Sequence, residues 1–256
     1  MPNIVCCFKW VVDEAYIKPS SAGKIDLEWA EHKLSDYDRN AIEAGVQLQE
    51  EYGGTVTAVT VASSEATKGI KDALSRGPEK AFFINDEQFE NLEPVQTSAI
   101  LAQVISQQID YDLIICGEGS SDMYSQQVGP RLAEKLGIPC IALVKKLEIK
   151  DNRLIAERKT DEGIEVVSAP LPALVTVLPD INNPRVPGLK DTLAASKKPV
   201  VDVSLEDLAA EYPALMVLED MRAASLVRNC TRFGSGPEDI QAFVEAVNKT
   251  GIIDRG

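Results

Sequence analysis

Four short apolar runs, at 4–8, 56–61, 81–84 and 113–116, alternate with four longer stretches, at about 36–51, 65–75, 94–109 and 127–136, where apolar residues recur at helical spacing. The last stretch shows the pattern plainly: Val128, Leu132, Ala133 and Leu136 share one face, and Gly137 ends it. The run Asp36-Tyr37-Asp38-Arg39-Asn40 opens the first stretch with acids at the positive end of a helix. Alternating strands and helices predict an α/β fold: a doubly wound, mostly parallel, Rossmann-like sheet with right-handed crossovers. Ligands of such sheets bind beyond the carboxyl ends of the strands. Residues just after Phe8 and just after Cys116 can therefore line one site although they are far apart in sequence.

Near Ala142 the pattern changes. Segments 143–150, 154–158 and 164–169 are short and alternating, with Asp151-Asn152 as a turn between the first two, and they predict an antiparallel excursion over about 142–170. An apolar strand returns at 171–178. The stretch 179–188 holds three prolines and a glycine and reads as an exposed loop, followed by a short helix at 189–195 and a strand at 200–203. From about Ser204 the tail is acidic and lacks strand alternation, and at 237–249 Ile240, Phe243, Val244 and Val247 stand at helical spacing.

Candidate chemistry concentrates in 111–139, which reads as strand, small-residue loop and helix. Backbone N–H groups at such a helix start favour an anion, and Ser120, Ser121 and Ser125 add hydroxyls. No Lys-Ser/Thr follows the glycines and no GxGxxG occurs, so neither common nucleotide fingerprint applies. By itself the segment reads equally as a plain strand-to-helix turn.

Composition narrows the partners. A formal net charge of −14 argues against nucleic acid and anionic membranes as ligands. No apolar run approaches the roughly 20 residues that span a bilayer, and the opening MPNIVCCFKWVVDE reads as a first strand, not a signal peptide. The five cysteines are odd in number and contain no CxxC, which argues against a disulfide framework or zinc site. Cys6, Cys7, Cys116 and Cys140 lie in or beside apolar strands and are expected to be buried small hydrophobes. With His32 as the only histidine, neither a metal cluster nor a Ser-His-Asp triad is expected.

Gly117, Asp122, Gln126, Gln127, Val128 and Gly129 follow the order of a known pattern: strand, Gly, polar loop, Asp, three residues, an Asn/Ala/Gln position, then Gln-Thr/Val-Gly and a helix. This resembles the nucleotide-binding stretch of the β subunit of electron transfer flavoproteins. The resemblance extends over most of the chain, through IVCCFKWVVD, LSDYDRNAIEAGVQL, ALSRGPEKAFFI and LPALVTVLPDINNPRVPGLKDTLAASKKPV. The motif SSDMYSQQVG is similar to the bacterial branch linked to carnitine and acyl-CoA metabolism.

The resemblance implies one α/β nucleotide-binding domain, 1–204, and a C-terminal arm, 205–256, laid on a partner α subunit. It implies FAD held mainly by that subunit, and AMP, or a second FAD, bound here by Cys7, Phe8, Lys9, Ser35, Ala62, Gly117, Ser121, Asp122, Gln126, Gln127, Val128 and Gly129. It further implies a cytoplasmic heterodimer whose loop at about 179–195 docks an acyl-CoA-type dehydrogenase through Pro184, Arg185 and Leu189. No catalytic acid, base or nucleophile of its own is expected; the cofactor carries the redox chemistry.

Three departures bear on these expectations. Ser35-Asp36-Tyr37 stands where many members carry Asn-Pro-Tyr or Asn-Pro-Phe, and Ser35 also reads as a helix cap. Lys159 stands where the family often has Glu. Gln127-Val128-Gly129-Pro130 is shared with flavin-bifurcating members, whereas Met123-Tyr124-Ser125-Gln126 is not, which leaves AMP and a second FAD both open. Asp122 beside a phosphate is unfavourable unless a cation intervenes or the side chain braces its own loop. Outside redox chemistry, a stand-alone nucleotide sensor of the universal-stress-protein type shares the layout but needs neither the Pro-rich loop nor the long tail.

Overall fold

Alternation along each apolar run sends its side chains to two different cores. In the first strand Ile4 and Cys6 face one and Val5 and Cys7 the other; in the fourth run Leu113 and Ile115 separate in the same way from Ile114 and Cys116. Burial on both faces is what makes these strands read as continuous apolar segments. The computed structural model describes residues 1–19, 24–27, 29–208, 212–216, 219–223 and 230–251.

In chain order the strands are β1 (Asn3–Cys7), β2 (Trp10–Val12), β3 (Lys18–Pro19), β4 (Ile25–Asp26), β5 (His32–Leu34), β6 (Thr55–Ala62), β7 (Lys80–Asn85), β8 (Leu113–Gly117), β9 (Cys140–Lys150), β10 (Arg153–Thr160), β11 (Gly163–Pro170), β12 (Ala173–Val177) and β13 (Val200–Ser204). The α-helices are α1 (Asp36–Tyr52), α2 (Thr67–Ser75), α3 (Pro94–Gln108), α4 (Val128–Leu136), α5 (Leu189–Ala195) and α6 (Pro237–Lys249). Nine strands form one sheet in the order β11-β10-β9-β12-β8-β1-β6-β7-β13. It is parallel from β9 to β13 along that order and antiparallel across β9, β10 and β11. Helices α1 and α2 contribute to the core on one face, and α3 and α4 to that on the other. The fold is thus the doubly wound α/β class expected from the alternation.

Strand order reverses between β1 and β8. From β1 the chain winds outward through β6 and β7; it then crosses back to β8 and continues to β12. The carboxyl ends of β1 and β8 flank this switch point, where doubly wound sheets leave a crevice.

Two features differ from the sequence pattern. The antiparallel segment extends the main sheet: β9 first pairs in parallel with β12 and then runs on as the first strand of the meander. Its turn, Asp151-Asn152, has φ of 50° and 57°, the left-handed pair that suits a two-residue hairpin. Between β1 and α1, where no strand was expected, lie two small ribbons, β2 with β5 and β3 with β4. Strands of two or three residues are too short to leave a periodic signal. Cys140 is a correction to the expectation of four buried thiols, because it lies exposed at the start of β9, while Cys6, Cys7 and Cys116 are buried.

Of the arm expected over 205–256, residues 209–211, 217–218, 224–229 and 252–256 lie outside the described residues. Its helix α6 has no buried residue, and Ile240, Phe243 and Val244 are exposed, with Phe243 edge-on to Phe233 at 5.6 Å between ring centres.

Helix α2 ends against the segment that joins α5 to β13. There the Lys198 ammonium donates to the carbonyls of Leu74 at 2.8 Å, Gly77 at 3.2 Å and Pro78 at 2.7 Å. Leu74 lies in the last turn of α2, where carbonyls lack the usual intrahelical partner, and Gly77 and Pro78 follow the helix. Lys198→Met keeps the length of the side chain and removes the donors, so it should lower unfolding free energy by about 1–3 kcal/mol, read from denaturant melts.

Candidate functional site

The crevice is built from three backbone segments that meet beside one carboxylate. Asp38, in the first turn of α1, is buried, and its Oδ2 accepts the Lys9 N–H at 2.8 Å. The Gly117 N–H also donates to this carboxylate, so it joins the chain beyond β1 to the last residue of β8. Gly117 has to be glycine here: a Cβ would lie 2.6 Å from Asp38 Oδ1 and 2.8 Å from Tyr37 Cβ. Burial raises the Asp38 carboxyl to about 7, against the opposing effects of the Lys9 and Gly117 N–H groups, the Ser35 hydroxyl and the Lys9 charge.

Ser35 precedes α1 and is fully buried, but its hydroxyl does not cap the helix. It accepts the Ser121 N–H at 3.3 Å, while Ser121 Oγ accepts the Asp36 N–H at 2.9 Å. Each serine thus holds the other's segment, and the loop after β8 is laced to the start of α1. Asp122 follows, with one carboxylate oxygen on the Met123 N–H at 2.8 Å and the other on Lys9 Nζ at 2.5 Å. Burial alone would raise its carboxyl, yet the Lys9 ammonium, with the Ser120 hydroxyl and the Met123 N–H, holds it below the usual range.

The loop then turns sharply through two left-handed residues, Tyr124 at φ 45° and Gln126 at φ 57°. Tyr124 closes over Gly119, leans on Tyr37 with ring centres 5.2 Å apart, and donates its hydroxyl to Glu118 at 2.8 Å. Helix α4 starts at Val128, and the Gln127 side chain accepts from Arg131 Nε at 3.0 Å. Val128 and Gly129 occupy the first two helical positions, whose N–H groups have no partner inside a helix. Gly129 lets α4 lie against β12: a Cβ there would come within 2.5 Å of Thr176 Cγ2.

The expected nucleotide residues therefore fall into three groups. Lys9, Ser35, Gly117, Ser121 and Asp122 converge on the crevice through the contacts above; Cys7, the last residue of β1, touches the Cys116 thiol across adjacent strands, and Phe8 is buried in the core with its N–H on the Val59 carbonyl of β6 at 3.0 Å. Gln126 and Gln127 lead into α4, and Val128 and Gly129 begin it, with Gly129 close to Cys116. Ala62 stands apart at the carboxyl end of β6, half-buried and bonded to none of the others.

The expected docking residues lie elsewhere, but α1 reaches them. The Asn40 amide donates to the carbonyls of Pro179 at 2.9 Å and Asn182 at 3.0 Å, and Asn182 Nδ2 donates back to the Asn40 carbonyl at 3.0 Å. Glu43, buried, takes Arg185 Nε at 2.8 Å, Nη2 at 3.1 Å and the Arg185 N–H at 3.1 Å. Arg185 also meets Glu50 at 2.9 Å, and its carbonyl accepts from Arg76 at 3.0 Å. The Arg185 side chain is thus turned inward onto α1. Val186, Leu189 and Leu193 are 90%, 79% and 62% exposed. Asp38, Asn40 and Glu43 were not singled out as site residues from sequence. The available signal was three polar residues placed among the buried positions Ala41, Ile42 and Ala44 of an amphipathic helix.

This is a Rossmann-like α/β protein with a crevice at the switch point of its sheet and a short helix bearing two exposed leucines on a braced loop. Residues 25–208 match the family model of the electron transfer flavoprotein domain, and the chain belongs to that family of flavin-linked proteins. No helix among the described residues is long and apolar enough to cross a membrane.

Asp38 makes the crevice sensitive to pH. Its folded pKa lies above its unfolded value, so the folded state binds the proton more tightly, and destabilisation by the buried charge, full above about 7, is relieved as pH falls towards 4. The thermal midpoint should therefore be higher at pH 6 than at pH 8 at constant ionic strength, and Asp38→Asn should flatten that difference. Asp122 and Glu43, both held below their usual range, lose their contributions only at lower pH.

Proposed function

We propose that the chain is the β subunit of a heterodimeric electron transfer flavoprotein, of the bacterial branch linked to carnitine and acyl-CoA metabolism, and that it works in the cytoplasm. The α subunit holds FAD. This subunit, through its domain 1–204, binds an adenine nucleotide in the crevice and presents a docking loop to an acyl-CoA-type dehydrogenase, while its arm, 205–256, lies on the α subunit.

The observation that carries this reading is the convergence of the segments after β1 and β8 on Asp38, beside a helix start with open N–H groups, in a chain of this family. Cys7, Phe8, Lys9, Ser35, Ser121 and Ala62 line the nucleotide, with the N–H groups of Val128 and Gly129 turned to its phosphate. Gln126 and Gln127 shape the turn into the helix. The exposed face of α6 supports the arm: among the described residues Ile240, Phe243 and Val244 stay about half exposed, and none of the helix is buried. In the docking loop Pro184 stiffens the backbone, Arg185 fixes the loop to α1, and Leu189 is the contact.

Co-expression with the α subunit, followed by counting the nucleotides released on denaturation, tests the reading. One FAD and one AMP support it. Two FAD molecules would make the crevice a second flavin site, as in bifurcating members, and ATP on a lone homodimer would indicate a sensor.

Leu189 gives an independent check. A single exposed leucine is ordinary, but this one begins a short helix on a loop already immobilised by Glu43 and Asn40, so little entropy is lost on docking. Leu189→Ala should weaken association with the dehydrogenase by about 1–3 kcal/mol and slow coupled flavin reduction, with flavin content and thermal midpoint unchanged. An unchanged reduction rate would remove Leu189 from the docking surface.

A further inference from the structure

A carboxylate stands where an anion is expected. Asp122 lies in the loop between β8 and α4, and the cation paired with it among the described residues, Lys9, comes from the far side of the switch-point crevice, beyond β1. The pair therefore spans the crevice. The root of the Lys9 side chain is fixed, because its N–H is held by Asp38 at 2.8 Å and its carbonyl accepts the Ser35 N–H at 3.0 Å. The ammonium end is less constrained: the Lys9 side chain is 47% exposed, and among the described residues Asp122 is its only carboxylate. The other acids nearby are already engaged. Asp38 is taken up by backbone N–H groups, and Glu118 is buried beneath the Tyr124 hydroxyl.

We infer that Lys9 and Asp122 form a charge gate on this crevice, in which Lys9 changes partner from the Asp122 carboxylate to a phosphate of the entering nucleotide. The inference rests on the nucleotide reading proposed above and assigns the residues that select a phosphorylated ligand. A phosphate offers more anionic oxygens than a carboxylate and makes strong charge-assisted bonds to an ammonium. Once Lys9 turns to it, Asp122 is left with uncompensated negative charge beside a second anion, and the loop has to carry it outward. Binding therefore works against Asp122 and with Lys9. Adenosine, which has no phosphate, is indifferent to both.

Calorimetric titration of the nucleotide-free heterodimer with AMP and with adenosine tests this. Asp122→Asn removes the charge and keeps an oxygen to accept the Met123 N–H; it should tighten AMP about fivefold, the scale of an exposed charge pair. Lys9→Met should weaken AMP by a similar factor, and Lys9→Arg should restore it. Adenosine affinity should be the same in all three variants and in the unaltered protein. Weaker or unchanged AMP binding in Asp122→Asn would overturn the gate and leave Asp122 as a loop brace. Equal shifts for AMP and adenosine would do the same. If the unaltered heterodimer binds neither compound, it is the nucleotide reading itself that fails.

Discussion

The architecture depends on one buried carboxylate. Two parallel strands that diverge into different halves of a doubly wound sheet leave their carboxyl-end backbone N–H groups without a shared ladder. Asp38 supplies an acceptor to both, at Lys9 and at Gly117, from the first turn of the helix that follows β1. The same helix carries Asn40 and Glu43, which hold the segment from Pro179 to Arg185. One rigid element therefore sets the position of both the crevice and the loop that follows β12. A buried hydrogen-bonded charge of this kind is more valuable for fixing geometry than for stability, since its desolvation opposes folding.

Electrostatics give the crevice its character. The chain carries a formal charge of −14, so an approaching phosphate meets a repulsive field over most of the surface. Locally the balance differs: Lys9 brings a side-chain cation to the mouth of the crevice, and the first N–H groups of α4 face out of the helix. Lys33, nearby on β5, is already surrounded by Asp13, Glu14 and Asp36. Attraction for an anion is thus confined to a small area, and Asp122 sits inside it.

The two glycines of the loop motif illustrate how one residue type can answer two demands. Backbone approach to a phosphate would account for Gly117 and Gly129 equally well, yet each also lies where a Cβ would strike a neighbour, Asp38 in one case and Thr176 in the other. Removing either glycine would displace a helix as well as any ligand. For that reason the charges of Lys9 and Asp122, which are not part of the packing, report on binding more cleanly.

The strand–helix alternation, the hairpin at Asp151-Asn152 and the helices Leu189–Ala195 and Pro237–Lys249 were all legible in the sequence, because periodicity, turn residues and a bounding Gly188 or Pro237 act within a few residues. The sequence also pointed to the loop after β8 for nucleotide chemistry, and the structure brings that loop against the start of α1. The role of Asp38 was not legible, because an acid in a first helical turn reads as an exposed partner of the helix dipole until β8 is brought against it. Nor could periodicity show that Ser35 would reach across to Ser121, that Arg185 would turn inward onto Glu43, or that Lys9 would meet the carboxylate the loop motif left unexplained. Local pattern determines which segments become strands and helices and which faces they bury. Which polar groups become partners depends on strand order, and that is decided only when the whole sheet assembles.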